Sequence, residues 1–254
     1  MGKIRKPFQG LWNVIRFNWH FYLLSFVLVL FFFIIKESLD ERYRISGNIV
    51  CFLIIAATGV SLLVTFYVYD LSGLYKLKWL DELKADTNSK ILNINAGFDE
   101  TSILLQEKFP DAELIVFDFY DPIKHTEVSI KRARKAYPAF PRTIQITTLN
   151  LPLPDKSLDK IFIILSAHEI RDEEERNGFF RELKRILKQT GQIVVIEHLR
   201  DVQNFLAYNV GFFHFIPKAS WRRAFKVAEL TIFKEIKINP FITIFILEKN
   251  GIAS

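Results

Sequence analysis

The chain of 254 residues contains a single cysteine, Cys51, and it lies inside an apolar run. A secreted fold stapled by disulfides is therefore excluded. The sequence also lacks a CxxC pair or a Cys/His cluster, so we predict no metal site. No short period recurs, which excludes a repeat protein. The net charge is only +6, with 34 basic and 28 acidic residues, so nucleic acid is not an expected partner.

Half of the residues are hydrophobic, and most of the apolar surplus lies before residue 70. Two runs in this part, residues 17–35 and 47–69, contain no charged residue. A helix rises about 1.5 Å per residue, so about 20 residues cross the hydrocarbon core of a membrane. Trp and Tyr near the ends of the runs fit the aromatic belt at a membrane interface. The sequence therefore predicts a membrane anchor of two transmembrane helices within residues 1–70.

Lys and Arg are more frequent in the two flanks of this hairpin than in its linker, residues 36–46. The positive-inside rule then predicts a multi-pass protein of the inner (cytoplasmic) membrane, with both termini and the soluble part in the cytoplasm. Two other interpretations are a cleaved signal peptide, although no small-x-small site follows the first run, and a helical hairpin buried in a soluble core. We predict that residues 71–89 form a linker, which is either an amphipathic helix on the membrane surface or a helix packed on the domain.

From Lys90 onward, short apolar runs alternate with helical patterns. We predict five strands, at KILNINAG, ELIVFDFY, TIQITTLN, KIFIILSAH and GQIVVIEHL. We also predict a basic helix over residues 124–137 and an amphipathic helix over residues 172–188. TIFKEIKIN and FITIFILEK, separated by Pro240, predict a terminal hairpin with an antiparallel edge strand. This alternation predicts an α/β fold over residues 90–254, with a doubly wound, mostly parallel seven-stranded sheet.

Ligands of such sheets bind outside the carboxyl ends of the strands. Asn95 and Gly97 follow the first predicted strand, and Asp118 follows the second, 21 residues after Gly97. Nucleoside-binding folds place an acid at this interval, because a carboxylate accepts hydrogen bonds from both ribose hydroxyls. Asp118 is therefore a candidate ribose ligand.

Three stretches resemble class I S-adenosylmethionine-dependent methyltransferases of the small-molecule and lipid group, which includes the quinone C-methyltransferases. LPLPDKSLDKIFII (Leu151 to Ile164) is similar to the family's LPF-x-D-x-SFD-x-V loop and fourth strand. RELKRILKQTGQIVVIEH (Arg181 to His198) is similar to its E-x-x-RVLKPGG segment and the strand after it. KILNINAGFDE with VFDFYD resembles the glycine loop and the acid after the second strand. The resemblance implies a Rossmann-like methyltransferase fold with S-adenosylmethionine as the cofactor.

The glycine loop departs from the family's D-x-G-x-G-x-G pattern, because only Gly97 remains of its three glycines. The enzyme interpretation requires that the side chains of Asn95 and Phe98 do not plug the crevice. Asp99 is expected to cap the following helix or to hold the ligand's amino group, and the two roles are compatible. The resemblance and the strand-end positions together give these candidate cofactor-binding residues: Asn95, Ala96, Gly97, Asp99, Asp118, Phe119, Thr148, Leu149 and Ser166.

Two histidines, His168 and His198, stand at predicted strand ends and are candidate catalytic groups for taking a proton from the acceptor. Both also fit the role of a hydrogen-bonded wall residue. The aromatic stretch of residues 205–221, which contains His214, fits either an acceptor pocket or core packing. The basic residues Lys131, Arg132, Arg134 and Lys135 are candidates for contact with anionic headgroups, or are simply solvated.

These observations favour a membrane-anchored methyltransferase whose partners are the lipid bilayer and a lipophilic small-molecule acceptor. The alternative is a catalytically inactive domain of the same fold that serves as a binding or scaffold protein at the membrane. A dinucleotide-dependent oxidoreductase is disfavoured, since the phosphate-binding glycines are missing.

Overall fold

The structure, a computed structural model, describes residues 5–81, 88–125 and 127–250. Within these residues the chain forms a seven-stranded sheet in the order β3-β2-β1-β4-β5-β7-β6. The strands are β1 (Lys90–Asn95), β2 (Glu113–Asp118), β3 (Ile144–Gln145), β4 (Leu158–Ile164), β5 (Leu187–His198), β6 (Leu230–Asn239) and β7 (Ile242–Lys249). Alternate residues of the central strands pack into two hydrophobic clusters, one on each face of the sheet. The predicted doubly wound, mostly parallel sheet is confirmed.

The helices alternate with the strands as the sequence predicts. They are α1 (Gln9–Ile35), α2 (Glu41–Phe66), α3 (Ser102–Lys108), α4 (Val128–Ala136), α5 (Glu173–Ile186), α6 (Val202–Tyr208) and α7 (Lys218–Val227). Helix α5 begins where Asp172 accepts a hydrogen bond from the backbone N–H of Glu175, at 2.7 Å. Three acidic residues in its first turn also suit the helix dipole.

The terminal hairpin forms, but the antiparallel strand is not at the edge of the sheet. Strand β7 lies between β5 and β6 and is antiparallel to both. Its sequence, ITIFILEK, is almost wholly apolar and buried, which suits an internal strand. Strand β6 carries Lys234, Glu235 and Lys237, and charged residues of this kind are typical of an edge.

Helices α1 and α2 pack against each other as a hairpin. Both are long and apolar enough to cross a membrane by length and composition, with mean hydropathies of 2.0 and 2.6. Helix α1 begins eight residues before the predicted span and is interrupted at Asn18, whose φ of −115° and ψ of 18° are not helical. The interruption separates an apolar part, whose side chains are largely exposed, from a first part that packs on the sheet domain.

The segment after α2 folds onto the sheet. A π-helical turn (Tyr67–Leu71) is followed by two 3₁₀ turns, Leu74–Lys76 and Lys78–Leu80. Leu74, Leu77 and Leu80 are buried in the hydrophobic cluster on one face of the sheet. These residues therefore join α2 to the sheet domain through packing, while residues 82–87 of the predicted linker lie outside the described part.

Candidate active site

A cavity of about 260 Å³ lies at the carboxyl ends of the central strands. This is the edge of a doubly wound sheet where ligands bind, and the volume is near the lower end of the roughly 300–1,000 Å³ that is usual for ligand sites. Its walls include Asn13 and Phe17 from α1, Phe98 and Glu100 after β1, His168 after β4, and His198 at the end of β5. Helix α1 thus closes one side of the cavity.

Gly97 and Asn95 determine the conformation of the loop after β1. Gly97 has a φ of 93°, in the left-handed region that favours glycine. The Asn95 side chain folds under the loop, accepting from the Gly97 N–H at 3.0 Å and donating to the Phe117 carbonyl at 3.1 Å. A Cβ at position 97 would lie 2.6 Å from Arg134 Nη1, so the space above Gly97 is filled by a guanidinium group.

Asp118, the candidate ribose ligand, is buried at the end of β2 and already paired. Its Oδ2 accepts from Arg134 Nη1 at 2.6 Å, and its Oδ1 accepts from the Tyr120 N–H at 2.8 Å. The Arg134 side chain is about one-third exposed and also lies over the Tyr120 ring. A ligand that reaches Asp118 therefore has to displace one flexible arginine, while the carboxylate itself stays in place.

One carboxylate oxygen of Asp99 accepts hydrogen bonds, and the other has no partner among the described residues. Its Oδ1 accepts from the backbone N–H groups of Thr101 and Ser102, both at 2.9 Å, which caps the start of α3. Its Oδ2 is buried without a hydrogen bond among the described residues, and so is Asn93 Oδ1 nearby on β1. Buried polar atoms normally have partners, so the unpaired oxygens leave room for a donor group of a ligand.

Three further predicted cofactor residues lie at or near strand ends. Ala96 is buried directly after β1, and Ser166 Oγ donates to the Ile94 carbonyl at 2.9 Å. Phe119 is buried, and its ring packs against Phe179 of α5. The side chain of Phe119 therefore belongs to the core, and its backbone is the part beside Asp118.

Thr148 and Leu149 follow β3, which is much shorter than the predicted strand. Thr148 is buried and donates to Glu175 Oε1 at 2.5 Å. Leu149 is 57% exposed, and its side chain covers Gly178 of α5. Both residues are absent from the lining of the cavity, and their role in cofactor binding stays a prediction.

His168 is buried between two carboxylates. Its Nδ1 lies 2.6 Å from Glu197 Oε2, and its Nε2 lies 3.5 Å from Glu169 Oε1. Burial alone would lower the pKa of His168, but the charge of Glu197 and the hydrogen bonds to Glu169 and Glu197 raise this pKa to about 10. The structure thus gives His168 a fixed orientation and an Nε2 that faces the cavity wall near His214.

His198 is buried with both nitrogens paired. The Tyr69 hydroxyl lies 2.9 Å from Nε2, the Asn204 Oδ1 lies 3.1 Å from Nδ1, and the ring stacks on Phe215. Burial lowers the pKa of His198 to about 3, so the imidazole is neutral. These contacts favour the wall role that the sequence left open for this residue.

The neutral state of His198 predicts a pH dependence of stability. In the unfolded chain its pKa is near 6.5, whereas in the fold it is about 3, so only the unfolded chain takes up the proton between these values. We expect the free energy of unfolding to fall by up to about 1.4 kcal/mol per pH unit below pH 6.5 through this group. Urea unfolding of the wild type and of His198→Gln across pH 4–8 measures the difference, and parallel profiles would contradict the expectation.

The docking of α1 on the domain is the part of the site that the sequence did not reveal. The Asp70 carboxylate accepts from the first-turn N–H groups of Gly10 and Leu11, at 2.9 and 2.8 Å. The Tyr137 hydroxyl donates to Asn13 Oδ1 at 2.8 Å, and Phe17 packs edge-on against Phe98. Gly10, Asn13 and Phe17 are buried on one face of α1, at a spacing of three and four residues. This helical spacing before the charge-free run was the signal in the sequence that the helix begins earlier.

Residues 96–195, which contain the loop after β1, Asp118 and most of the central strands, match the family described as "Methyltransferase domain". They form a methyltransferase domain. The sequence resemblance to this family is confirmed, and so is the fold that it implies.

Known proteins extend the likeness. The chain is 30% identical over 108 residues to demethylmenaquinone methyltransferase of Thermus thermophilus, covering 42% of this chain and 46% of the relative. It is 30% identical over 119 residues to the Thermotoga maritima protein of the same name, covering 46% and 48%. The chain thus spans about half the length of these curated relatives. A crystal structure of a SAM-dependent methyltransferase from Aquifex aeolicus has the same fold, with 15% identity, a TM-score of 0.50, and coverage of 75% and 97%.

The methyltransferase domain and its relatives support S-adenosylmethionine as the cofactor, and the residues present fit it. The space above Gly97 is occupied by Arg134, and once this side chain moves aside, the absence of a Cβ lets a ligand approach the backbone. The unpaired Oδ2 of Asp99 suits an ammonium group, and Asp118 suits the ribose hydroxyls. In this structure the Arg134 guanidinium occupies the position beside Asp118 that the ribose would take. The Arg134 side chain is partly exposed and can move aside.

Proposed function

We propose that the chain is a membrane-anchored methyltransferase that transfers a methyl group from S-adenosylmethionine to a lipophilic small molecule. The observation that carries the proposal is the path of α1. The helix that is long and apolar enough to cross a membrane also supplies Asn13 and Phe17 to the wall of the strand-end cavity. A cavity built in this way opens beside the anchor, where a bilayer-dissolved acceptor is concentrated.

We place the cofactor beside the cavity, at the ends of β1 and β2. Phe98 and Glu100 of the loop after β1 line the cavity, whereas Gly97, Asp99 and Asp118 are not part of its lining. Asp118 would hold the ribose, Gly97 would allow the close approach of the backbone, and Asp99 Oδ2 would accept from the amino group. When bound, the cofactor supplies an electrophilic methyl group on a sulfonium. The protein mainly has to align donor and acceptor and exclude water, so the transfer does not depend on a strong general base.

The acceptor end lies at β4 and β5, where His168, His198 and Phe215 line the cavity. Of the two candidate catalytic histidines, His198 has both nitrogens used within the fold. His168, whose pKa the neighbouring carboxylates raise to about 10, would hold the acceptor through a hydrogen bond from Nε2 instead of taking a proton from it. The curated relatives are named as methyltransferases of demethylmenaquinone. A lipid-soluble quinone or a comparable polyprenyl or lipid acceptor fits the apolar side of the cavity.

The surface near α2 supports a membrane position. Helix α6 packs against α2, and Leu206, Val210 and Phe213 on α6 and its following turn are 65%, 83% and 63% exposed. Large exposed apolar side chains beside an apolar helix suit contact with the acyl chains at an interface. Together with the positive-inside pattern, this supports our proposal that residues 71–254 lie on the cytoplasmic side of the anchor.

The test is label transfer in membranes that contain the full chain. We expect methyl-labelled S-adenosylmethionine to label a compound that partitions into organic solvent, and the Asp118→Ala variant to abolish that label. Mass spectrometry of the extract identifies the acceptor. Label confined to water-soluble products would contradict the lipophilic acceptor.

A second candidate function is a catalytically inactive binding protein, and the Arg134–Asp118 ion pair above Gly97 favours it. A permanent ion pair would block the ribose position. Calorimetric titration of the full chain with S-adenosylmethionine and S-adenosylhomocysteine separates the two functions. Absence of binding at millimolar ligand would support the inactive protein and overturn the enzyme.

A further inference from the structure

Three side chains at the acceptor end of the cavity converge on one point. Glu169 Oε1 lies 3.5 Å from His168 Nε2 and 3.4 Å from His214 Nε2. One ligand atom from each residue lies within 4.8 Å of the others. Two ligands about 2.0–2.1 Å from a zinc ion at a tetrahedral angle are themselves about 3.3 Å apart. The observed separations are close to those of ligands around a metal ion.

In each of the two histidines, the other ring nitrogen, Nδ1, contacts a second carboxylate. His168 Nδ1 lies 2.6 Å from Glu197 Oε2, and His214 Nδ1 lies 2.8 Å from Glu127 Oε1. A carboxylate on Nδ1 orients the ring and keeps the Nδ1 proton when a metal ion displaces the proton from Nε2, and metal-binding histidines usually have such a partner. Both rings therefore present Nε2 towards Glu169.

We propose that His168, Glu169 and His214 bind a divalent transition-metal ion, with Zn²⁺ as the best match. Two imidazoles and one carboxylate are a common ligand set of catalytic zinc and of non-haem iron, and they leave a coordination position open. All three residues line the cavity, so the open position faces it and suits an oxygen atom of an acceptor. Metal binding itself does not depend on the proposed methyl transfer.

The charges around the cluster are compatible with the ion. Glu127, Glu169 and Glu197 together carry three negative charges, and the Arg171 guanidinium contacts the His214 ring. One divalent ion together with the positive charge of Arg171 would balance the three carboxylates. Arg171 is 42% exposed and can turn away from His214 as the metal enters.

The test is cobalt binding by the full chain in detergent after treatment with a chelator. We expect one equivalent of Co²⁺ to bind with visible d–d absorption bands and to be displaced by Zn²⁺. The Glu127→Gln variant should bind about 10–100-fold more weakly, and Glu169→Gln and His214→Ala should lose saturable binding. The control His20→Gln changes a histidine on α1 outside the cluster and should bind like the wild type.

Equal cobalt binding by the wild type and the cluster variants, or no saturable binding by the wild type, would overturn the metal site. Titration of the same stripped protein with S-adenosylmethionine is read separately. Failure of the metal proposal is therefore distinguishable from failure of the proposed function.

Discussion

Replacing Asp118 with alanine is expected to weaken the binding of S-adenosylmethionine about 100-fold. A hydrogen bond to a charged acceptor contributes about 1.5–3 kcal/mol, and the variant would lose two of them to the ribose. Release of Arg134 from its ion pair recovers part of this loss, which leaves about 3 kcal/mol, or a factor of about 100. Isothermal titration of the full chain with the cofactor and with S-adenosylhomocysteine measures the change.

Two variants make the Asp118 result specific. Asp121→Ala removes a neighbouring carboxylate that, among the described residues, accepts from the exposed Ile123 N–H at 2.8 Å, and should leave affinity unchanged. Arg134→Met removes the side chain that occupies the ribose position and should bind the cofactor as tightly as the wild type or more tightly. A change of less than about threefold in Asp118→Ala would mean that the ribose is held elsewhere.

The sequence predicted Asp118 but not its partner. The 21-residue interval from Gly97 and the end of a buried strand are local signals, and the structure has Gly97 in the loop after β1 and Asp118 at the end of β2. Arg134 reaches Asp118 from α4, and a basic helix gives no indication of which side chain turns inward. The side chains of Asn95 and Phe98, which would have plugged the crevice, are directed elsewhere: Asn95 folds under the loop, and Phe98 packs on Phe17 of α1 at the cavity wall.

The sheet and the apolar helices were predictable because hydrophobic periodicity and charge-free runs are averaged over many residues. The metal cluster was not, since His168 and Glu169 follow β4 whereas His214 follows α6. Residues so far apart in the chain meet only through tertiary packing. Their spacing matches no local ligand motif, which is why the sequence predicted no metal.

The sequence did not predict the first part of α1, and the reason is similar. Hydropathy marks the start of the charge-free run at Phe17, yet the helix begins at Gln9. The contacts that hold this part are made to Glu100, which lies about ninety residues later in the chain. Glu100 Oε1 accepts from Arg5 at 2.9 Å, from Gln9 at 3.3 Å and from Asn13 at 3.1 Å.

Glu100→Ala is therefore expected to release the start of α1 from the domain. The Glu100 side chain is 10% exposed, and its Oε2 accepts from the Tyr75 hydroxyl at 2.9 Å. Removing one partner of a largely buried charged network costs about 3–5 kcal/mol, because the remaining donors and the Arg5 charge lose their acceptor. Hydrogen exchange of the amides of residues 9–17 should accelerate at least about 100-fold, while β5 stays protected.

Since Asn13 and Phe17 form one wall of the cavity, the same variant should also lose most of its methyl transfer to a membrane acceptor. Glu107→Ala, an exposed position on α3, is the matched control and should change neither measurement. Glu100→Gln keeps the shape and part of the hydrogen bonding, so its exchange rates should lie between those of the wild type and the alanine variant. Unchanged exchange over residues 9–17 in Glu100→Ala would contradict the prediction and show that the remaining contacts, to Asp70, Tyr137 and Phe98, are sufficient to hold α1 in place.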